Sequence, residues 1–470
     1  MQASVLKAFH QFVNFRGATD SGEVILSCGD DDKRAILKRA IRDQFAVARL
    51  EDVQRQALAG QKDEAEGEEA QVARFVAHRA SIARRRPGVG GRRPAGILRG
   101  VTDASRFFRA ALANVQPYVA GRPASDVRRE LGLEQVVKLG SNETPFAPMP
   151  GALRAINEHA ARVRGYPEGD WALREALSNH LDVPADWVLT GNGVDSLIKV
   201  LCASVLEPGD RLLMGWPSFI SWRQAALLAG SYVTQVPLAV DGAYDLDRML
   251  AAVDQQTKIV VVVSPNNPTG AAVGSSALAA FAAALPEHVL LAIDEAYWEY
   301  LPEGGHDAVA LARASGRPIV AMRTFSKAYA LAGLRVGYLV AQPEIVRELT
   351  RVRNAFDVNA LAQVAAIASL ADGAEHLAPR VDLARTERAR VADGLRALGL
   401  SPLPSDANFL FIDLGVERAA LVNAALLARG VIVRPAGPFG APEALRFTIG
   451  WPDENQRLLD ALAEALAESA

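Results

Sequence analysis

Residues 259–270 have the sequence IVVVVSPNNPTG, in which five consecutive β-branched residues run directly into a loop of proline, asparagine and glycine. The apolar run predicts a buried strand. The prolines and the glycine predict a rigid loop at the carboxyl end of that strand, where open α/β sheets bind ligands. Asn267 on this loop can offer an amide N–H to an oxygen of a ligand. Taken alone, the loop could also be a purely structural, proline-stiffened connection.

The same pattern, a short β-branched run followed by a helical stretch, is found on both sides of this segment from about residue 115 onward. Strands are predicted at Val188–Thr190, Arg211–Met214, Lys258–Ser264, Val289–Ile293, Pro318–Met322 and Arg335–Val340, with helical segments such as Ala277–Ala284 between several of them. This alternation predicts an α/β fold with a mostly parallel central sheet flanked by helices. After Pro343 the pattern turns helical and then returns to two short strands, Asn408–Ile412 and Leu445–Ile449, which predicts a smaller C-terminal α+β domain.

Length and composition limit the classes of protein to which this chain can belong. The 470 residues exceed one ordinary domain, and 50% hydrophobic against 22% charged residues is typical of a globular chain with a large core. The formal net charge of −3 gives no reason to expect nucleic acid or a membrane surface as a partner. Cys28 and Cys202 are the only cysteines and lie far apart, so neither disulfides nor a cysteine metal cluster are predicted. No apolar signal core or membrane-spanning run is found, and we expect a soluble, cytoplasmic protein.

The first part of the chain differs from the rest. Residues 33–60 carry an apolar stripe at helical spacing, residues 61–70 are acidic, and residues 84–100 hold a basic run with glycine and proline. The basic run fits either a nucleic-acid patch or a solvated linker, and we favour the linker. The predicted division is therefore an N-terminal extension of unknown function (1–110), a large domain (111–342) and a small domain (343–470).

Two further segments place polar groups at the ends of predicted strands. Residues 190–196 (TGNGVDS) contain glycines that allow a tight turn, and the apolar helix that follows can bind an anion through its first N–H groups. Residues 292–297 (AIDEAY) end an apolar strand at Asp294, a carboxylate that needs a cationic partner, such as a protonated ring nitrogen, if it is buried. Tyr297 could hydrogen-bond a second atom of the same ring. A structural turn and a helix cap are the alternatives for these segments taken singly.

Residues 323–337 (RTFSKAYALAGLRVG) form the last such segment and also follow a predicted strand. Lys327, flanked by hydroxyls and an aromatic ring, suits a desolvated amine that forms a Schiff base. Thr324 and Ser326 can donate hydrogen bonds to a phosphate, and Arg335 can neutralise its charge. A solvated lysine on a surface loop is the alternative for any isolated lysine.

In this order and spacing the four segments resemble those of the fold-type I pyridoxal-phosphate aminotransferases, and most of all the histidinol-phosphate aminotransferase family. The resemblance extends from about Val115 to Leu466. Its typical opening occurs at residues 117–123 (PYVAGRP) and 138–145 (KLGSNETP), and its typical end at 430–435 (GVIVRP), 445–450 (LRFTIG) and 453–455 (DEN). The resemblance implies the fold-type I architecture, with a large domain that binds pyridoxal 5'-phosphate and a smaller C-terminal domain.

The resemblance also implies roles for individual residues. Lys327, Asp294 and Tyr297 are the implied catalytic residues: Lys327 binds the cofactor covalently and moves a proton, while Asp294 keeps the ring nitrogen protonated. The implied cofactor-binding residues are Val194, Asp195, Phe219, Asn267, Asp294, Tyr297, Thr324, Ser326, Lys327 and Arg335, together with Tyr166, which would reach the phosphate of the neighbouring subunit in a homodimer with shared active sites. Phe219 matches the aromatic residue that stacks on the ring, although Trp222 is close enough in sequence to be confused with it.

Substrate binding is implied for Asn142, Arg434 and Arg446. Arg446 corresponds to the arginine that binds the substrate carboxylate, and Arg434 would help to hold a second anionic group. Several positions depart from the family pattern: Val194 and Ser196 stand where a small polar residue and a glutamate are usual, Phe219 replaces a tyrosine, Thr144 replaces an asparagine, and the middle of residues 353–359 is altered. These departures bear on substrate specificity more than on the cofactor.

The implied reaction transfers the amino group of L-histidinol phosphate to 2-oxoglutarate, giving imidazole acetol phosphate and L-glutamate in histidine biosynthesis. An aromatic amino-acid aminotransferase or a secondary-metabolism enzyme on the same scaffold is the alternative, and a decarboxylase of a phosphorylated amino acid is a more distant one. A transcription regulator with an N-terminal DNA-binding module is disfavoured, because residues 33–60 read as one long helix and not as two compact helices around a turn.

Overall fold

The structure is a computed structural model that describes residues 14–18, 24–27, 107–115, 117 and 121–468. The helix expected at residues 33–60 and the acidic and basic stretches that follow it lie outside the described residues. The chain divides into two units, Met1–Thr102 and Asp103–Ala470. In the first unit, strands Asn14–Ala18 (β1) and Val24–Ser27 (β2) pair in antiparallel orientation.

The strands of the second unit are β3 (Val137–Lys138), β4 (Val188–Gly191), β5 (Arg211–Trp216), β6 (Tyr232–Pro237), β7 (Thr257–Val263), β8 (Leu290–Asp294), β9 (Ile319–Thr324), β10 (Gly337–Val340), β11 (Phe409–Asp413), β12 (Val431–Ile432), β13 (Arg434–Pro435) and β14 (Ala444–Thr448). Seven of them form the sheet that is the framework of this unit, in the spatial order β4-β10-β9-β8-β7-β5-β6. A three-stranded sheet, β11-β14-β13, and a two-stranded pair, β12-β3, accompany it.

Helices connect most of these strands. They are α1 (Ala124–Leu131), α2 (Pro150–His159), α3 (Trp171–Leu181), α4 (Val194–Val205), α5 (Ile220–Ala229), α6 (Leu246–Ala251), α7 (Ser275–Ala284), α8 (Ala308–Ser315), α9 (Pro343–Thr350), α10 (Ala360–Ala397), α11 (Val416–Ala428) and α12 (Pro452–Glu468). In the described part of the chain, no helix combines the length and the apolar character needed to cross a membrane. The cytoplasmic location expected from the sequence stays a prediction.

The orientation of the strands decides which polar segments meet. Strands β5 to β9 pair in parallel, whereas β10 is antiparallel to both of its neighbours, β4 and β9. The carboxyl ends of β4, β7, β8 and β9 therefore lie at one edge of the sheet, and so does the amino end of β10. The α/β fold with a mostly parallel central sheet, expected from the sequence, is confirmed, with β10 as the exception.

Two features of the large sheet differ from the sequence-based expectation. Strand β6 was not predicted; it is the edge strand, and its polar residues Thr234 and Gln235 interrupt the apolar run that marks a buried strand. Strand β10 begins at Gly337, two residues later than expected, because Arg335 has a left-handed backbone with φ of 57° and cannot belong to a strand.

The hydrophobic interior of the second unit consists mainly of two clusters. The larger one surrounds the seven-stranded sheet and includes Val260, Ile293 and, beyond residue 342, Val346 and Leu349 of α9. The second cluster lies under the three-stranded sheet; its members include Leu410, Leu426, Leu445, Phe447, Leu458 and Leu462, and also Leu139 from the segment after β3. The boundary between a large and a small domain at residue 342 stays a prediction.

Candidate active site

A cavity of about 370 Å³ lies at the edge of the sheet where β7, β8 and β9 end. Polar residues that follow these strands meet there because parallel strands end at the same edge. Most of the residues singled out in the sequence line this cavity: Asn142, Val194, Asp195, Phe219, Asn267, Asp294, Tyr297, Thr324, Ser326, Lys327, Arg335 and Arg446. The structure thus brings the four segments into one concave site of a size suited to a small molecule.

Asp294 is the most deeply buried carboxylate of the cavity wall, with 1% of its surface exposed. Its two oxygens each accept a hydrogen bond, one from the indole N–H of Trp222 at 3.0 Å and one from the backbone N–H of Ala296 at 3.2 Å. Burial raises the pKa of Asp294 to about 6, and the two donors oppose this rise because they favour the charged form. A cation in the cavity would complete the set of partners that a buried carboxylate requires.

Tyr297 follows Asp294 by three residues, and its hydroxyl is fixed by Asn142, which Thr448 holds in turn. The side-chain amide of Asn142 donates to the Tyr297 hydroxyl at 2.8 Å, and the Thr448 hydroxyl donates to the Asn142 side-chain oxygen at 3.1 Å. Asn142 has φ of 54°, a left-handed conformation that asparagine tolerates better than most residues. Burial raises the pKa of Tyr297, so the phenol is neutral and can donate a hydrogen bond into the cavity.

Lys327 follows β9 and reaches the cavity between these groups. Its Nζ lies 5.5 Å from the centre of the Tyr297 ring. Just before it, the Thr324 hydroxyl donates to the Ser326 hydroxyl at 3.0 Å and accepts the Ser326 backbone N–H at 3.1 Å, which fixes both hydroxyls on the cavity wall. Behind it, Arg380 of α10 donates to the carbonyl of Ala328 at 3.4 Å. The turn that presents the amine is therefore held from both sides.

The glycine turn before α4 forms the cationic end of the cavity. Gly193 has φ of 72°, and a Cβ at this position would lie 2.7 Å from a nitrogen of the Arg335 guanidinium, so only glycine lets Arg335 approach the turn. Helix α4 starts at Val194 and directs its first N–H groups to this end. Asp195 accepts a hydrogen bond from Ser221 at 2.6 Å and lies 3.6 Å from Arg335. Backbone donors and a guanidinium thus converge where an anion would bind.

The altered segment 353–359 contacts the same turn from outside. A carboxylate oxygen of Asp357 accepts the backbone N–H of Asn192 at 3.0 Å and the hydroxyl of Ser196 at 3.1 Å. The Asn192 side chain donates to the Asp357 carbonyl at 3.2 Å. Ser196, one of the departures from the family pattern, is therefore a contact of this loop in the structure.

Arg446 of β14 closes the cavity on the side of the three-stranded sheet. Its guanidinium donates to the side-chain oxygen of Asn267 and, at 2.9 Å, to the carbonyl of Gly140. Only 3% of Arg446 is exposed, so the charge faces the cavity in a poorly solvated setting. An anionic group of a ligand would gain more from this guanidinium than from an exposed one.

Arg434 lies directly opposite Arg446 across the β13–β14 pair but does not line the cavity. Both guanidiniums stack on the ring of Phe439, at 5.2 Å and 5.3 Å from its centre, and Phe439 itself is part of the cavity wall. Only 5% of Arg434 is exposed, so it is not an exposed arginine in a surface salt bridge. Its positive charge therefore lies behind Phe439, one side chain away from the cavity.

Tyr166 does not reach the cavity of its own chain. Its side chain is 81% exposed and stacks on the ring of Phe356, with 4.8 Å between the centres. The position on the outer surface is compatible with a contact to a second subunit, which was the expectation from the sequence.

A buried ion-pair network braces the strand ends behind the cavity. Arg323, next to Thr324, donates to Glu295, next to Asp294, and to Asp307, both at 2.8 Å. Its guanidinium stacks 3.7 Å from the centre of the Trp298 ring. Charge-assisted hydrogen bonds of this kind fix the ends of β8 and β9 relative to each other.

Sequence reasoning missed some of the wall and its support. Ser141 and Glu143 line the cavity and flank Asn142 in the motif already quoted, so their neighbourhood in sequence could have identified them. Phe439 lies in no recognised motif and only the fold brings it there. Phe219 lines the cavity, whereas Trp222 is fully buried behind it. The structure therefore distinguishes these two aromatic residues, either of which could be the stacking residue on sequence grounds.

The groups in the cavity fit pyridoxal phosphate. The glycine turn, Thr324, Ser326 and Arg335 would hold a phosphate, Asp294 a protonated ring nitrogen, and Lys327 lies between these two ends to meet an aldehyde. The described residues contain no group of three or more histidine, cysteine, aspartate or glutamate side chains that could hold a metal ion.

Comparison with known proteins gives consistent results. The family described as aminotransferase class I and II matches residues 134–462, a range that includes every residue of the cavity wall. The histidinol-phosphate aminotransferase of Symbiobacterium thermophilum is 43% identical over 361 residues, which is 77% of this chain and 99% of the relative. That of Moorella thermoacetica is 41% identical and covers 76% of this chain and 93% of the relative.

Solved structures agree in fold. The histidinol-phosphate aminotransferase of Sinorhizobium meliloti, in complex with pyridoxal-5'-phosphate, has a TM-score of 0.72 at 29% identity and covers 79% of this chain and all of that one. The aspartate aminotransferase of Thermus thermophilus with maleate has a TM-score of 0.67 at 25% identity and covers 76% of this chain and 99% of that one.

Proposed function

This chain belongs to the aminotransferase class I and II family, and on that premise we propose that it transfers the amino group of L-histidinol phosphate to 2-oxoglutarate with pyridoxal phosphate as cofactor. The observation that carries the proposal is the 43% identity with a histidinol-phosphate aminotransferase over 99% of that relative's length. The chain is a pyridoxal-phosphate-dependent enzyme, and the amino donor is the part of the proposal that needs an experiment.

When bound, the cofactor supplies a conjugated cationic ring that draws in the electrons released at the substrate's α-carbon. Asp294 holds the proton on the ring nitrogen through an ionic hydrogen bond. Tyr297 and Asn267 bind the ring oxygen, and Phe219 packs on the ring face. The glycine turn, with the N–H groups of Val194 and Asp195, fixes the phosphate so that the ring cannot shift during the reaction.

Lys327 has two tasks in this proposal. Its Nζ would hold the aldehyde group of the cofactor. As an amine on the cavity wall, it would also move the proton at the α-carbon of the substrate. The buried ring of Tyr297, 5.5 Å from Nζ, helps to exclude water from that path.

The arginines account for the two substrates. Arg446 binds a carboxylate of 2-oxoglutarate or the phosphate monoester of the donor, and Arg434 adds positive charge behind Phe439. A buried guanidinium pairs with both kinds of anion through parallel N–H donors. Asn142 supports this side of the site through its contact with Tyr297.

The proposal includes a homodimer in which Tyr166 contacts the cofactor phosphate of the partner subunit. Tyr166 and Phe356 form an exposed aromatic stack, and Leu153, Val163 and Val352 are further exposed apolar residues. Apolar surface of this kind is common at subunit interfaces. We expect a solution mass of twice 50.2 kDa by analytical ultracentrifugation; a mass of one chain for the active holoenzyme would contradict the shared site.

The amino donor is tested by offering the holoenzyme L-histidinol phosphate, L-histidinol and L-phenylalanine in turn, with 2-oxoglutarate as acceptor. We expect kcat/KM for L-histidinol phosphate to exceed that for L-histidinol by about 100-fold, because the phosphate adds charge-assisted hydrogen bonds of about 1.5–3 kcal/mol each. The measurement is the rate of L-glutamate formation.

L-Histidinol is the matched control, since it differs from the proposed donor only by the phosphate. A higher kcat/KM for L-phenylalanine than for L-histidinol phosphate would contradict the proposed donor and favour an aromatic amino-acid aminotransferase. The loss of the tyrosine hydroxyl at Phe219 is the one observation that points to that second function.

A further inference from the structure

Trp222 is fully buried in the first turn of α5, behind the cavity wall. Its indole N–H donates to the carboxylate of Asp294 at 3.0 Å. Buried tryptophan needs a hydrogen-bond acceptor for this N–H. Here the acceptor is the one carboxylate that would face the ring nitrogen of the cofactor, and a backbone carbonyl is not used.

The same turn contacts two other parts of the site. Phe219, the residue before α5, lines the cavity, and the hydroxyl of Ser221 donates to Asp195 at 2.6 Å at the cationic end. Residues 219–222 therefore touch the proposed ring face, the phosphate end and the ring-nitrogen end. We name them the α5 turn.

The hydrogen bond from Trp222 acts on both the orientation and the charge of Asp294. The indole N–H and the N–H of Ala296 occupy one oxygen each, which restricts rotation of the carboxylate. Burial and the nearby Asp195 and Glu295 oppose ionisation of Asp294, whereas the indole N–H favours it. A donor that supports the charged form also supports the ionic bond to a ring nitrogen.

We infer that Trp222 is a positioning residue, whose indole N–H holds the Asp294 carboxylate in the orientation that binds the cofactor's ring nitrogen. The inference rests on the proposed function, since it gives Asp294 that task. The competing explanation is that Trp222 only fills the core. The two explanations make different predictions. If Trp222 is a positioning residue, a Trp222 substitution weakens cofactor binding only when Asp294 is present.

A double-mutant cycle of Trp222→Phe and Asp294→Asn in the full-length holoenzyme separates them. We expect Trp222→Phe to raise the dissociation constant of pyridoxal phosphate about tenfold and to lower kcat about tenfold, with KM for the amino donor little changed. In the Asp294→Asn background the same substitution should change both quantities less than about twofold. The measurements are equilibrium dialysis for the cofactor and steady-state kinetics.

Trp187→Phe is the matched control, because Trp187 packs against the same hydrophobic core but does not line the cavity. It should leave the cofactor dissociation constant unchanged. If Trp222→Phe does not fold, 3-benzothienyl-alanine at position 222 keeps the bicyclic shape and removes only the N–H, and the same changes are expected.

Equal effects of the Trp222 substitution in both backgrounds would overturn the inference, as would an unchanged cofactor dissociation constant. A lack of any effect of Asp294→Asn on cofactor binding would instead contradict the proposed function itself. The two failures are thus distinguishable in one set of proteins.

Discussion

Lys327→Ala should lower kcat for transamination by at least about 10⁴-fold, the largest effect expected for any single substitution in this chain. The substitution removes both the amine that binds the cofactor covalently and the group that moves the proton at the α-carbon. Steady-state formation of L-glutamate from 2-oxoglutarate measures the loss.

The cofactor should still bind to Lys327→Ala, since the glycine turn, Thr324, Ser326 and Arg335 remain. Retention of pyridoxal phosphate through gel filtration, together with loss of the lysine-linked form by mass spectrometry after borohydride reduction, would separate the chemical defect from misfolding. Lys199→Ala, at an exposed position of α4, serves as the control and should keep full activity. Activity of Lys327→Ala within tenfold of the parent would refute the assignment.

Asp294→Asn is expected to lower kcat by about 10²- to 10³-fold. The amide has nearly the same size as the carboxylate but cannot stabilise a proton on the ring nitrogen, so the ring withdraws electrons less strongly. The amide has one oxygen where the carboxylate has two, so it can accept only one of the N–H groups of Trp222 and Ala296, and retention of the fold is part of the test. Circular dichroism checks the fold and single-turnover kinetics measure the step at the α-carbon; an unchanged single-turnover rate would exclude the role.

The same carboxylate predicts a pH dependence of cofactor binding. The pKa of Asp294 is raised by burial to about 6. Above this pH the carboxylate is already charged, whereas below it each binding event must first remove a proton. Affinity for pyridoxal phosphate should therefore fall as the pH drops through about 6, by up to about tenfold per unit. Equilibrium dialysis between pH 5 and 8 measures it, and an equal slope in Asp294→Asn would contradict the explanation.

The chemistry-bearing segments could be predicted from sequence because their signals are local. An apolar run predicts a strand, and the polar residues that follow it at once predict the groups at the end of that strand. Asp294 follows one such run, and Thr324, Ser326 and Lys327 follow another. Parallel strands then bring such ends to one edge whatever the details of packing. The mostly parallel sheet and most of the cavity wall could therefore be predicted from the sequence.

The sequence could not supply contacts between distant residues. Strand β10 runs antiparallel within the parallel sheet, and that orientation, with the left-handed turn at Arg335, places the guanidinium beside Gly193. Nothing in a short window around residue 335 encodes the direction of the strand that follows relative to its neighbours.

Sequence by itself thus determined the α/β class, the family resemblance and the identity of the groups that can bind or react, since these depend on residue type and on spacings of a few positions. Only the tertiary structure decided that Trp222 donates to Asp294, that Arg446 meets Asn267, and that Phe439 lies in the cavity wall. These contacts join residues that the chain separates widely, and they exist only because helices and strands pack into one interior where each buried polar group must find a partner.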